Sequence, residues 1–322
     1  MLETTWFVLW GLLWAVYFVL DGFDFGMGTL LPFLAKNDEE KRIIYNAAGP
    51  YWDGNEVWLI TAGGVTFAAF PKAYAVMFSA LYAPLLILLF ALIFRAVSFE
   101  FRNKKDCPQW RKFWDACQFL GNFLPALLLG VAFANLFMGI PIDGNGVYHG
   151  NIIKLLNPYG LAGGIFFVLI FCMHGALWLA LKSEGDIHER AVGAAQVVWP
   201  LVLAVALLFL ALTAFYTNLY ANYAEHPTLL VFPILAVASL LTVRVMIWAD
   251  NLLGAWFFSA LFIITVTFFG VLGMYPGIII SSIDPAYSVT VFNGASSQLT
   301  LKIMLGVALV MVPIVLLYQF WV

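Results

Sequence analysis

The chain is poor in charge. Of its 322 residues only 10% are Asp, Glu, Lys or Arg, while 63% are apolar. A soluble domain carries roughly a quarter charged residues, so this chain cannot cover itself with polar surface. That excludes a soluble enzyme and a disordered protein. An excess of base is missing as well: fifteen Lys and Arg stand against eighteen Asp and Glu, a net charge of −3. No nucleic-acid partner is expected, because no basic face is available for phosphates. Cysteine is scarce, and Cys107, Cys117 and Cys172 show neither a pairable framework nor CxxC spacing. Disulfides and thiolate metal sites are therefore not expected. P-loop, GxGxxG and nucleophile–base spacings are absent too. What the chain has is long apolar runs, and these make it an integral membrane protein.

A spanning helix needs about 20 mostly apolar residues. Uncharged runs of about that length lie at 73–94, 116–142, 155–181, 191–224, 227–243, 251–283 and 303–322. Two further apolar segments carry acids: 6–32 contains Asp21 and Asp24, and 52–71 opens with Asp53 and Glu56. The first has no basic leader and no small-residue cleavage site, so it reads as a retained span. The short 52–71 segment is decided by charge bias. With nine spans and the N-terminus outside, Lys36, Lys41, Arg42, Arg95, Arg102, Lys104, Lys105, Arg111, Lys112, Lys182, Arg190 and Arg244 lie inside. Only Lys72, Lys154 and Lys302 lie outside, whereas dropping 52–71 worsens the ratio to nine against six. The positive-inside rule thus favours nine helices with the C-terminus inside.

The fold predicted is one all-α polytopic membrane domain over 1–322, with spans at about 6–32, 52–71, 73–97, 114–139, 158–181, 192–216, 228–248, 255–276 and 299–321. Continuous apolar runs exclude a β-barrel, whose strands alternate. Trp6, Trp52, Trp110, Trp114, Trp256 and Trp321 fall near span ends, as in an aromatic belt.

Charges inside spans are costly and are functional candidates by default. Asp21 and Asp24 are three apart and share a helix face in the inner half of the first span. Asp53 and Glu56 open the second span on the same side, and Arg95 closes the third, with Glu100 just beyond it. Four carboxylates and a guanidinium converge on the inner leaflet. A proton-conducting chain is one reading, because buried carboxyl groups pass protons between waters; it places Asp24 and Asp53 side by side, with Asp21 and Arg95 nearby. Other readings stand beside it. Asp53 and Glu56 suit the first turn of a helix, where acids cap it and meet its dipole. Asp21 or Asp24 can pair structurally with Arg95. Gly22 and Gly26 form GxxxG, a mark of close helix packing.

His174 lies deep in the fifth span, as an axial haem ligand or as a core histidine bonded to a neighbouring helix. His149, His188 and His226 fall in loops without metal-site spacing. Arg244 and Asp250 are most simply interfacial, and Lys302 snorkels.

Several motifs carry a resemblance. Asp21-Gly22-Phe23-Asp24-Phe25-Gly26-Met27-Gly28, Asn37-Asp38-Glu39-Glu40-Lys41-Arg42 and the block from Trp52-Asp53-Gly54-Asn55-Glu56-Val57-Trp58 to Gly64 resemble subunit II of the cytochrome bd quinol oxidases. So do Phe94-Arg95, Phe99-Glu100-Phe101-Arg102, Leu156-Asn157-Pro158-Tyr159-Gly160-Leu161 and Ser296-Ser297-Gln298-Leu299-Thr300-Leu301. The likeness runs in order along the whole chain. It implies two four-helix bundles plus a peripheral helix, in the bacterial cytoplasmic membrane.

It also implies a partner, subunit I of homologous fold, which carries two haems b, one haem d and the quinol site. Together the pair oxidises quinol and reduces dioxygen to water with cytoplasmic protons. This chain alone is then inactive, and it supplies part of the proton route through positions matching Asp21, Asp24, Asp53 and Arg95. The resemblance allows a small accessory subunit, and a structural quinone held in this chain. Glu56 departs from the pattern, since some members carry Gln there, and the loop around 216–228 is shorter than in some members. The competing reading is a proton- or cation-coupled secondary transporter, against which stand the one-sided acids and the lack of an inverted repeat. A purely structural scaffold is the third.

Overall fold

Backbone in hydrocarbon must satisfy its own N–H and C=O groups, and a helix does so within one segment. The computed structural model describes residues 1–321, most of them helical. The helices are α1 (Leu2–Leu34), α2 (Asp38–Ala48), α3 (Trp52–Ala69), α4 (Pro71–Ala80), α5 (Tyr82–Phe101), α6 (Pro108–Met138) and α7 (Ile152–Leu155). They continue with α8 (Pro158–Lys182), α9 (Gly185–Tyr216), α10 (Leu219–Glu225), α11 (Val231–Trp248), α12 (Leu252–Gly273) and α13 (Gln298–Trp321).

Eight are long and apolar enough to cross a membrane: α1, α5, α6, α8, α9, α11 with the 3-10 turn at Pro227–Leu230, α12 and α13. The helix over 52–71 is not among them. α3 has only 18 residues, and Asp53, Asn55 and Glu56 in its first turns lower its hydropathy. The segment read as one span over 73–97 is divided: α4 ends at Ala80 and α5 starts at Tyr82, with Leu81 between them. Pro71 and Pro84 stand at the first turns, where proline is tolerated.

α1 lies at the centre, packed on α3, α6, α8 and α12, while α5 packs on α6, α8 on α9 and α11 on α12. Glycine lets α1 and α8 touch backbone to backbone. A Cβ on Gly26 would sit 1.8 Å from the Phe171 carbonyl oxygen, and one on Gly175 would sit 2.5 Å from the Met27 nitrogen. Gly22 presses on the Phe171 ring in the same seam. The GxxxG pair therefore packs helices. The Leu156–Leu161 motif is also structural: Asn157 caps α8 by accepting from the Gly160 N–H at 2.8 Å and donates to Asn135 Oδ1 at 2.8 Å.

At the end of the molecule remote from α2, strands β1 (Gly277–Ile279) and β2 (Val289–Thr290) form a small antiparallel pair beside α4. Not every terminal tryptophan belongs to a belt. Trp6 and Trp114 are buried, and the Trp6 indole N–H donates to the Leu301 carbonyl at 3.0 Å.

Candidate functional site

Arg95 is the hub. It is fully buried on α5, and its Nη2 donates to Asp21 Oδ1 at 2.8 Å and to Glu56 Oε2 at 3.1 Å. The guanidinium lies 4.7 Å from the centre of the Phe25 ring, a cation–π contact. Gly121 of α6 makes room, since a Cβ there would sit 2.8 Å from the Arg95 Cβ. One turn along α1, buried Asp24 accepts from Asn55 Nδ2 at 2.8 Å. Asp21 and Asp24 thus share a face, as their spacing predicts, and α3 answers with the neighbours Asn55 and Glu56.

The cluster is only partly satisfied from within the chain. Asp21 Oδ2, Asp24 Oδ1, Tyr17 Oη, and Nε and Nη1 of Arg95 are buried without a partner among the described residues. Unpaired buried polar atoms are costly unless water or another group meets them. Five such atoms about one guanidinium make a site suited to ordered water. Glu56, with 23% of its side chain exposed, is where this site reaches the surface.

Asp53 is not brought to Asp24. Its side chain is exposed on α3, and it has no hydrogen-bond or ion-pair partner among the described residues. The reason is helical phase: at 100° per residue, two positions put Asp53 about 200° from Asn55, which faces α1. Capping does not explain Asp53 either, because Tyr51 is the N-cap of α3 and no side chain bonds there.

His174 is a core residue. Its Nδ1 lies 2.5 Å from Ser259 Oγ, its Nε2 lies 3.1 Å from the Val19 carbonyl oxygen, and its ring stacks on Trp256. With both ring nitrogens engaged by α1 and α12, the side chain does not fit an axial haem ligand. No group of three or more metal-ligating side chains occurs among the described residues.

A second polar layer lies beyond Arg95, toward α2. Arg102, almost wholly buried, donates through Nε to Asp115 Oδ1 and through Nη2 to Asp38 Oδ1, both at 2.6 Å. Lys41 joins Asp115 at 2.8 Å, and Arg190 joins Glu40 at 2.6 Å. Between the layers, the Ser98 hydroxyl contacts Gln118, and Asn122 donates to the Gln118 carbonyl at 2.7 Å. Sequence reasoning missed Asn55, Ser98, Arg102, Asp115, Gln118 and Asn122. A signal was there: 95, 98 and 102 on α5 and its C-cap, and 115, 118 and 122 on α6, repeat as i, i+3, i+7, one helix face each.

Two carboxyls of α2, outside the spans, are lowered. Burial pushes Asp38 up, but the Arg102 hydrogen bond and charge, with Arg111 and Lys41, outweigh it and hold the group below its ordinary value. Glu40 is lowered by the Lys36 backbone N–H and by Arg190.

Set beside known proteins, residues 2–322 match the family described as cytochrome bd terminal oxidase subunit II. The chain belongs to that family. It is 37% identical to the cytochrome bd ubiquinol oxidase subunit 2 of Bacillus subtilis, covering 99% of this chain and 94% of the relative. Identity is also 37% to the cytochrome bd-I ubiquinol oxidase subunit 2 of Escherichia coli K12, over 99% of this chain and 93% of the relative. The fold is similar to a chain in the structure of bd oxidase from Geobacillus thermodenitrificans, with TM-score 0.80, 16% identity and coverage of 99% and 97%.

Proposed function

We propose that this chain, as subunit II of a membrane quinol:dioxygen oxidoreductase, carries protons from the α2 end toward the site of dioxygen reduction. The observation that carries the reading is the Arg95 cluster: three carboxyl groups, Asp21, Asp24 and Glu56, gathered about one guanidinium among unpaired buried polar atoms. In this reading the partner is a subunit I of homologous fold that holds two haems b, one haem d and the quinol site. There the haems supply the electron chemistry that turns dioxygen, four electrons and four protons into two waters.

This chain's residues hold and move protons. Glu56, partly exposed, receives them; Arg95 fixes Asp21 and Glu56 in place and offsets their charge; Asp24, held by Asn55, exchanges through water. Asp53, exposed on α3, hands protons across to the partner in this reading. The transporter reading is not favoured, because the named relatives are oxidase subunits.

The topology proposed is nine spans, counting α3, with the N-terminus outside and α2 in the cytoplasm. α1, α3, α5 and α6 make one four-helix bundle, α8, α9, α11 and α12 the other, and α13 lies peripherally.

This reading assigns a structural quinone to one cavity. A cavity of about 610 Å³ between α3, α4, α5 and α6 is lined by Leu59, Phe67, Met77, Leu85 and Leu129. Trp14 lines it too, with an indole N–H that is buried and unpartnered among the described residues. Apolar walls suit an isoprenoid tail, and the unpartnered indole N–H suits a quinone carbonyl. Gly63→Leu, which projects into this cavity, should lower the quinone extracted from the purified complex; unchanged quinone content removes the assignment.

The test of the proton reading is Asp24→Asn. It should leave assembly and the haem spectrum intact while slowing turnover at least about tenfold, within the range expected when a positioned acid–base group is lost. Full turnover in that variant refutes the relay.

A further inference from the structure

Arg244 has no role in the proton path, yet it is held in an ordered setting. It sits near the end of α11, with its guanidinium 4.8 Å from the Trp248 ring centre and 5.6 Å from that of Trp199 on α9. The Trp199 ring is itself fixed, because its N–H donates to the Leu240 carbonyl at 2.7 Å. Nη1 of Arg244 donates to the Gln196 carbonyl at 3.2 Å. Its remaining N–H groups have no partner among the described residues, and no carboxylate lies within ion-pair distance of it there.

One turn deeper, about 5 Å along each helix axis, a second feature begins. Between α9 and α11 lies an apolar cleft of about 90 Å³ whose walls include Leu203, Leu207 and Leu210 on one side and Leu241, Val237 and Pro233 on the other, with Phe166 of α8 and Phe262 of α12 also lining it. From Leu203 to Leu210 it runs about 10 Å toward the membrane centre. A cation at the membrane surface and an apolar slot beneath it, long enough for the first half of an acyl chain, stand in line.

We infer that this seam binds one anionic glycerophospholipid, its phosphate on Arg244 and one acyl chain in the α9–α11 cleft. The chemistry selects that occupant. A planar guanidinium with open N–H groups matches phosphate oxygens through paired hydrogen bonds. Two tryptophans set headgroup depth, since indole prefers the membrane interface. An uncompensated positive charge favours a net negative headgroup over a zwitterionic one, whose ammonium it repels. An arginine that merely snorkels needs neither a pinned ring nor a cleft below it.

The test is native mass spectrometry of the intact two-subunit complex, titrated separately with dioleoyl phosphatidylglycerol and dioleoyl phosphatidylcholine. The expected result is one phosphatidylglycerol bound in preference to phosphatidylcholine. Arg244→Gln should weaken that binding about tenfold, the loss of one charge-assisted contact of about 1.4 kcal/mol. Leu207→Trp, which fills the cleft and leaves Arg244 in place, should weaken it as well. Equal binding of phosphatidylcholine overturns the inference, as does unchanged binding in Arg244→Gln. Competition by chain-free glycerophosphoglycerol at equal concentration also overturns it, because the cleft would then contribute nothing.

Discussion

Arg95 and Asp24 are both buried, yet they should fail differently when changed. Arg95 neutralises its neighbours, so Arg95→Leu strands Asp21 in hydrocarbon beside Glu56. Breaking a buried pair from one side costs about 3–5 kcal/mol, and the expected outcome is loss of assembled complex, read as haem content of the membrane fraction. Asp24 depends on Asn55 alone, so Asp24→Asn should assemble. His174 tests the chain's relation to haem. Its nitrogens already serve Ser259 and Val19, so His174→Ala should leave every haem band of the assembled complex in place. Loss of one band with subunit I still present contradicts that.

Among the elements, α2 and α3 matter most. α2 is docked by ion pairs from α5, α6 and α9, and two of its carboxyls, Asp38 and Glu40, are held below their ordinary values. A carboxyl with a depressed folded-state pKa stabilises the fold above its unfolded value, and that contribution fades as pH falls through the folded value. Hydrogen-exchange protection across Ile44–Ala48, measured against the intrinsic rate at each pH, should therefore fall once pH drops below about 4, and Asp38→Asn should show lower protection already at neutral pH. For α3, reporter fusions after residues 45 and 105 should both read cytoplasmic; an extracytoplasmic signal at 45 removes α3 as a span.

These same elements separate what the sequence makes legible from what it hides. Apolar runs bounded by charge mark the eight long helices, because hydrocarbon admits little else. The spacing of Asp21 and Asp24 puts both on one face, and Arg95 falls level with them. The α4–α5 break and the outward turn of Asp53 stay hidden. The break falls inside one continuous apolar run that no charge interrupts, and in α3 polar residues surround the helix start, so no single face stands out. The Arg102–Asp115 layer was readable as two matched i, i+3, i+7 stripes, but only once α5 and α6 are taken as neighbours.

For the whole molecule, the proposal is that the chain supplies a route and not a reaction centre. Expressed without its partner it should show no quinol oxidase activity. The central claim is that protons consumed in dioxygen reduction pass through the Arg95 cluster. The direct measurement is time-resolved proton uptake by the purified two-subunit complex, followed with a pH-indicator dye as oxygen is delivered to the reduced enzyme. Asp21→Asn and Asp24→Asn are each compared with the unaltered protein at equal haem content. The account predicts that electron delivery starts normally while proton uptake slows at least about tenfold and becomes rate-limiting. Uptake at the unaltered rate in both variants would contradict it.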